Sequence, residues 1–266
     1  MSKPGSKHSK RNIAVTAVVV AVVLSFMTHL FLTAVRDQLW QQSIHTIMES
    51  THQGCNTLRV QLEEEYRSLE NITGYLETVG QIDELDSILR DYIQMDQGVT
   101  FYGDAGCLPY GSIADESVAQ ALSQNEADYG ILDPHISSVN GVNVFNLFLR
   151  LSMADGSTGY LVKEYEVGDI VETFCISFYQ GAGFSYVVDA SGNVLIRPPH
   201  PGSNKTVQNL FDILQQSPND PAQLQVFQDS LVNTRTGWAT FSYQGEQTVF
   251  CYIPIKMGSD WHLISI

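Results

Sequence analysis

The chain has 266 residues, 44% of them hydrophobic and 10% aromatic, with 14 Lys+Arg against 29 Asp+Glu and a formal net charge of −15. That hydrophobicity excludes a disordered chain, and the length allows one large domain or two small ones with cores of their own. Lys3, Lys7, Lys10 and Arg11 fall in the first twelve residues, so ten basic residues and all 29 acidic ones belong to the remainder, a body that repels a phosphate backbone and argues against nucleic acid as a partner.

Ile13 to Val35 carries no formal charge, and as a helix these 23 residues reach about 34 Å, enough to cross a bilayer core. A cleaved signal peptide is the competing reading, but the polar chain runs straight on in helical register. The basic cluster before the span and the acidic body after it place residues 1–12 in the cytoplasm and 36–266 outside, which points to the inner membrane of a bacterium.

Beyond the span, Trp40, Ile44, Ile47, Thr51, Cys55, Leu58, Leu62, Tyr66, Leu69, Ile72 and Leu76 recur at steps of three and four. The pattern predicts one amphipathic stalk helix from about Asp37 to Val79, with Glu63, Glu64 and Glu65 largely off the stripe. The stripe either receives the rest of the chain or pairs with a second copy as a coiled coil, so a homodimer through the stalk is expected. His45, Glu49 and His52 share one face, which on a stalk reads as a solvated or dimer-contact surface rather than a metal site. Cys55, Cys107, Cys175 and Cys251 lack any C-x-x-C spacing and read as small buried hydrophobes.

A second helix is predicted over 82–95. VTFYGDAGCLPYG then reads as a strand, a turn at Gly103–Gly106 and a short strand. Residues 113–141 read as loop, with a short helix near Ser117–Leu122 and turns at Asp133-Pro134 and Asn140-Gly141. A long hairpin follows, turning at Asp155-Gly156, and then a short helix from Asp169 to Phe174. The second round opens on FSYVVDASGNVLIRP, a hairpin turning at Ser191-Gly192. Helices over Asn209–Gln216 and Gln223–Leu231, a hairpin turning at Gln244-Gly245 and a last strand in SDWHLISI complete it. Five strands with helices after the second match a PAS-like unit, and residues 81–176 show a looser version of the same order. The fold class is α+β: a transmembrane helix continuous with a stalk (36–80), then two PAS-like antiparallel lobes over 81–176 and 177–266.

The uncharged span, the stalk, FNLFLRLSMADGSTGYLVKEYEV in the first lobe, and FSYVVDASGNVLIRPPHP, GWATFSYQGEQTVFCYIPI and SDWHLISI in the second together resemble the double Cache sensors. These are the extracytoplasmic ligand-binding parts of bacterial chemoreceptors, histidine kinases and diguanylate cyclases. The resemblance covers residues 13–266 and implies a membrane-distal first lobe that binds a small molecule. It also implies continuation beyond Ile266 into a second span and an output domain. Amino-acid-binding members typically carry an Arg-x-Trp element in that lobe; the tryptophans here are Trp40, Trp238 and Trp261, and the chain departs from that pattern.

No G-x-S-x-G, H-E-x-x-H or G-x-x-x-x-G-K-[ST] is present, and His200 and Asp189 flank a loop without a nucleophile at a defined spacing. No catalytic residue, cofactor or metal is expected. A sensor is the leading reading, against an anchored enzyme or a single-span structural or adhesive protein. Along Val142–Met153, Phe145, Leu147, Leu149 and Leu151 share one face, expected to pack on the stalk, and Asn146, Phe148 and Arg150 share the other, expected to line the pocket with Tyr102, Tyr110 and Tyr129. Arg150 suits a carboxylate, so an anionic or zwitterionic small organic ligand is expected; the plainer alternative pairs Arg150 with Glu164 across the hairpin.

Overall fold

The computed structural model describes residues 6–76, 98–103, 108–110, 115–153, 156–174 and 183–266. The helix expected over 82–95, the turn between the first two strands, Cys107, Cys175 and the Tyr110 side chain lie outside them. The chain divides into two compact units, Met1–Thr46 and Ile47–Ile266.

Helix α1 (Ser6–Leu76) is continuous, as the unbroken three-and-four spacing requires. Among the described residues it is the one helix long and apolar enough to cross a membrane. In the first unit Val18, Leu24, Phe26 and Phe31 are all exposed.

Among the described residues of the second unit, ten strands make two sheets. The first contains β1 (Val99–Gly103), β2 (Leu108–Tyr110), β3 (Tyr129–Ile136), β4 (Asn143–Ser152) and β5 (Thr158–Glu166). The second contains β6 (Ser185–Val188), β7 (Val194–Ile196), β8 (Gly237–Tyr243), β9 (Glu246–Pro254) and β10 (His262–Ser265). Both sheets have the same order, β2-β1-β5-β4-β3 and β7-β6-β10-β9-β8, and every pairing is antiparallel. Helices α2 (Glu116–Ser123) and α3 (Val167–Phe174) belong to the first sheet, α4 (Leu210–Gln215) and α5 (Pro221–Val232) to the second. Side chains set where these helices begin. Asp115 accepts from the Ser117 N–H, Asn209 from those of Phe211 and Asp212, and Asp220, followed by Pro221, from that of Ala222. The hairpin turn at Gln244-Gly245 has both residues at positive φ (52° and 87°), where Gly245 meets no steric cost.

One core joins the two sheets through α1. Cys55, Leu58, Leu62, Leu69, Ile72 and Leu76 of the helix cluster with Phe145, Leu147, Leu151 and Leu161 of the first sheet and Val187, Ile253 and Leu263 of the second. Each such side chain taken fully out of water contributes about 1.5–3 kcal/mol. The expected apolar face of β4 therefore does pack on the stalk. A polar bond also links the sheets, the Trp261 indole N–H donating to Asp133 Oδ1 at 2.9 Å. Cys55 and Cys251 are buried free thiols, and burial pushes Cys251 up to about 12.

Two expectations are corrected here. Residues 129–136, read as loop, form β3. Its Asp133-Pro134 pair is accommodated by a bulge between Leu132 and His135 on an edge strand, where a residue without an N–H costs no ladder bond. Glu65, placed off the stripe, instead meets the first sheet, with its Oε2 2.9 Å from Lys163 Nζ and accepting from Tyr165 Oη at 2.6 Å.

Candidate ligand-binding site

Alternation along β4 and β5 gives the first sheet two unlike faces. One packs on α1. The other gathers Tyr102 from β1, Leu132 from β3, Phe148 from β4 and Tyr160 and Val162 from β5, with Val118 and Leu122 of α2 laid over them. Tyr102, Phe148 and Tyr160 are each 3% exposed or less, and Phe148 meets Tyr160 edge-on at 5.9 Å.

At one end this apolar floor gives way to polar groups. Asn146 stands directly opposite Glu164 and, on its other side, opposite Leu132. It is 2% exposed, and its carbonyl oxygen Oδ1 accepts no hydrogen bond among the described residues. Among the described residues Glu164 accepts from Ser137 Oγ and Asn140 Nδ2, both at 3.4 Å. Burial pushes the Glu164 carboxyl above its usual range, and the nearby Asp115 charge pushes the same way.

Asp115, the cap of α2, is 3% exposed. It accepts from the N–H groups of Ser117 and Ser138 at 2.9 Å, while its own N–H donates to Tyr102 Oη at 3.2 Å. Burial pushes its carboxyl up, but these two N–H donors and the His135 ring outweigh burial and hold it below the usual carboxylate range. His135 Nε2 lies 3.4 Å from Asp115 Oδ2, close enough for charge attraction though not aligned for a hydrogen bond.

Of the residues expected from sequence, Asn146, Phe148 and Tyr102 come together on this face, and the backbone of Tyr110 pairs with Phe101 at the sheet edge. Arg150 shares the face but is exposed at its rim, its guanidinium 5.8 Å from the Tyr160 ring. The register sets Arg150 opposite Tyr160 and not Glu164, which overturns the Arg150–Glu164 pairing. The expectation of an anionic or zwitterionic ligand rested on Arg150 lining the pocket, whereas the buried polar end is built from Asn146, Glu164 and Asp115.

Tyr129 is also corrected. It pairs with Leu149, on the stalk side, and lies edge-on to Tyr66 at 5.8 Å, away from Phe148. Asp115 and Glu164 were missed as site residues. The signal for Asp115 was its place as an acidic cap before an apolar helix; that for Glu164 was its parity with Val162 and Tyr160 along β5. Among the described residues no group of three or more His, Cys, Asp or Glu side chains is arranged to hold a metal.

No protein-family model and no curated protein matches the sequence. Solved structures do. The ligand-binding domain of the Pseudomonas fluorescens chemoreceptor CtaA with L-leucine aligns with a TM-score of 0.64 at 14% identity over 86% of this chain and 97% of that one. The fold is that of the double Cache sensors. The ligand-binding domain of the Pseudomonas aeruginosa PAO1 amino acid chemoreceptor PctB with L-Gln aligns at 0.60 and 13% identity over 83% of this chain and 89% of that one. The extracellular domain of the putative histidine kinase mmHK1S-Z2 aligns at 0.60 and 12% identity over 85% and 95%. The double Cache architecture accounts for the repeated strand order and for the one long helix whose buried stripe serves both sheets.

Proposed function

We propose that this chain is the extracytoplasmic sensing region of a bacterial membrane-anchored receptor. Residues 1–12 lie in the cytoplasm, 13–35 span the inner membrane and 36–266 face outward. The segment binds a small organic molecule against the outer face of the first sheet and carries out no chemistry of its own. It forms a homodimer through the stalk and is the N-terminal part of a longer histidine kinase, diguanylate cyclase or chemoreceptor. The observation that carries this reading is the aromatic floor of Tyr102, Phe148 and Tyr160 under α2, ending in the unpartnered carbonyl of Asn146, within a fold shared with chemoreceptor ligand-binding domains. An aromatic lining with a few polar groups at one end is the make-up of small-molecule sites.

Binding favours one of two arrangements of the sheet on α1, and the helix carries the change toward the membrane. The test is a melting-temperature screen of the full chain in detergent micelles against small organic acids, amines and amino acids. A ligand-induced rise that Phe148→Ala abolishes supports the site. A screen in which nothing raises the melting temperature sinks the sensor reading.

A further inference from the structure

A cleft of about 510 Å³ opens between the two lobes. One wall is formed by α2 and β3, with Val118, Ala121, Leu132 and Pro134, and the other by residues 258–260 of the loop between β9 and β10. That volume falls within the range of small-molecule sites. The walls are held where they meet. A Cβ at Gly258 would stand 2.8 Å from the Tyr129 carbonyl oxygen, so the loop lies directly on β3, and the Trp261 indole of the second lobe donates to Asp133 at 2.9 Å.

The charge of the cleft is one-sided. Asp133 of the first lobe and Asp260 of the second both line it, and both are exposed, so they are open to a guest from solvent. Each has one carboxylate oxygen engaged, Asp133 Oδ1 by Trp261 and Asp260 Oδ2 by the Ala190 N–H at 3.2 Å. Among the described residues neither forms an ion pair. Asp260 and Asp189 are close enough to act on the Asp133 charge, and no basic side chain is. His135, the basic side chain among those lining the cleft, faces Asp115 instead, at 3.4 Å. Like charges on opposite walls repel one another, and a cation between them relieves the repulsion, whereas an anion is repelled by both.

We infer that this cleft binds a small aliphatic ammonium compound, its N–H groups donating to Asp133 of one lobe and Asp260 of the other and its alkyl body lying on Val118, Ala121, Leu132 and Pro134. The walls hold no Phe, Tyr or Trp ring, which suits an alkyl chain better than an aromatic one. Among the described residues no group of three or more His, Cys, Asp or Glu side chains is arranged to hold a metal, which favours an organic cation over an inorganic one. Tyr102, Phe148 and Tyr160 do not line the cleft, so it is a site apart from the outer face of the first sheet.

Three salts at matched ionic strength test it on the full chain in detergent micelles: n-butylammonium chloride, sodium butyrate and calcium chloride. The expected result is a melting-temperature rise with n-butylammonium alone, its half-maximal concentration about tenfold higher in Asp133→Asn and in Asp260→Asn, which keep the shape of each side chain and remove its charge. A rise with butyrate and none with n-butylammonium overturns the ligand class, and a rise with calcium alone overturns it in favour of an inorganic cation. A butylammonium response unchanged in both variants overturns the placement. No rise with n-butylammonium overturns the inference and leaves the sensor reading to the wider screen.

Discussion

Lys163 Nζ lies 2.9 Å from Glu65 Oε2, binding the last strand of the first sheet to the long helix. Tyr165 donates to the same oxygen at 2.6 Å, so both stalk-facing neighbours of Glu164 hold one carboxylate. Glu164 on the outer face therefore sits between two residues that are both bonded to α1. The pair is 12% and 29% exposed, which limits screening. Glu65→Gln is expected to destabilise the chain by about 1–3 kcal/mol, the range of a hydrogen bond to a charged group. Urea melts at low and high salt check this; a loss below about 0.5 kcal/mol would mean that the contact is no stronger than a surface ion pair.

Glu164 sets a pH dependence. Its folded-state pKa is raised from 4.5 by burial and by Asp115, so the folded form holds the proton more tightly than the unfolded form. Stability therefore falls as pH rises from 4.5 through the raised value, and the cost is fully present above it. Glu164→Gln removes the charge and should melt higher than the parent at neutral pH, with the difference shrinking toward pH 4.5. Thermal melts of both proteins across pH 4–8 read it, and a variant that melts lower throughout would contradict the sign.

The shared core makes the two sheets depend on the same helix. Leu62 is 1% exposed and belongs to the cluster that contains Leu161 of the first sheet and Leu263 of the second. Leu62→Ala should cost about 2–5 kcal/mol. Chemical unfolding followed by near-ultraviolet circular dichroism should show a single transition at lower denaturant, whereas separate transitions for the two sheets would show that the helix does not couple them.

Tyr129 and Phe148 separate the two faces. Tyr129→Ala should leave the ligand-induced melting shift intact, because its ring lies against Tyr66, while Phe148→Ala should remove it. Gly130 offers a finer control. A Cβ there would stand 2.7 Å from the Phe148 ring and 2.8 Å from the Gly258 carbonyl, so Gly130→Ala must displace the ring or the second-lobe loop. Titrating a ligand identified in the melting-temperature screen against all three variants checks the assignment; loss of the response in Tyr129→Ala would place the site on the stalk side.

The periodicities of this sequence are local, and they were enough to determine the elements they describe. Steps of three and four from Trp40 to Leu76 required one helix, and the alternation from Val144 to Leu151 required a strand whose Phe145 and Leu147 face opposite to Asn146 and Phe148. The turn residues at Ser191-Gly192 and Gln244-Gly245 closed hairpins where they stand. What the tertiary structure decided depends on register between segments far apart in sequence. A bulge allowed Asp133-Pro134 to sit within β3, although both residues read locally as a turn. Pairing of β4 with β5 put Asn146, not Arg150, opposite Glu164, and pairing of β3 with β4 turned Tyr129 to the stalk. Asp115 entered the site because its N–H reaches Tyr102 and its carboxylate reaches Ser138, contacts that exist only once the sheet has formed and α2 has folded over it. A residue's spacing along the chain fixes which face it occupies, but the partners and burial that give that face its chemistry come from strands and loops that no local pattern aligns.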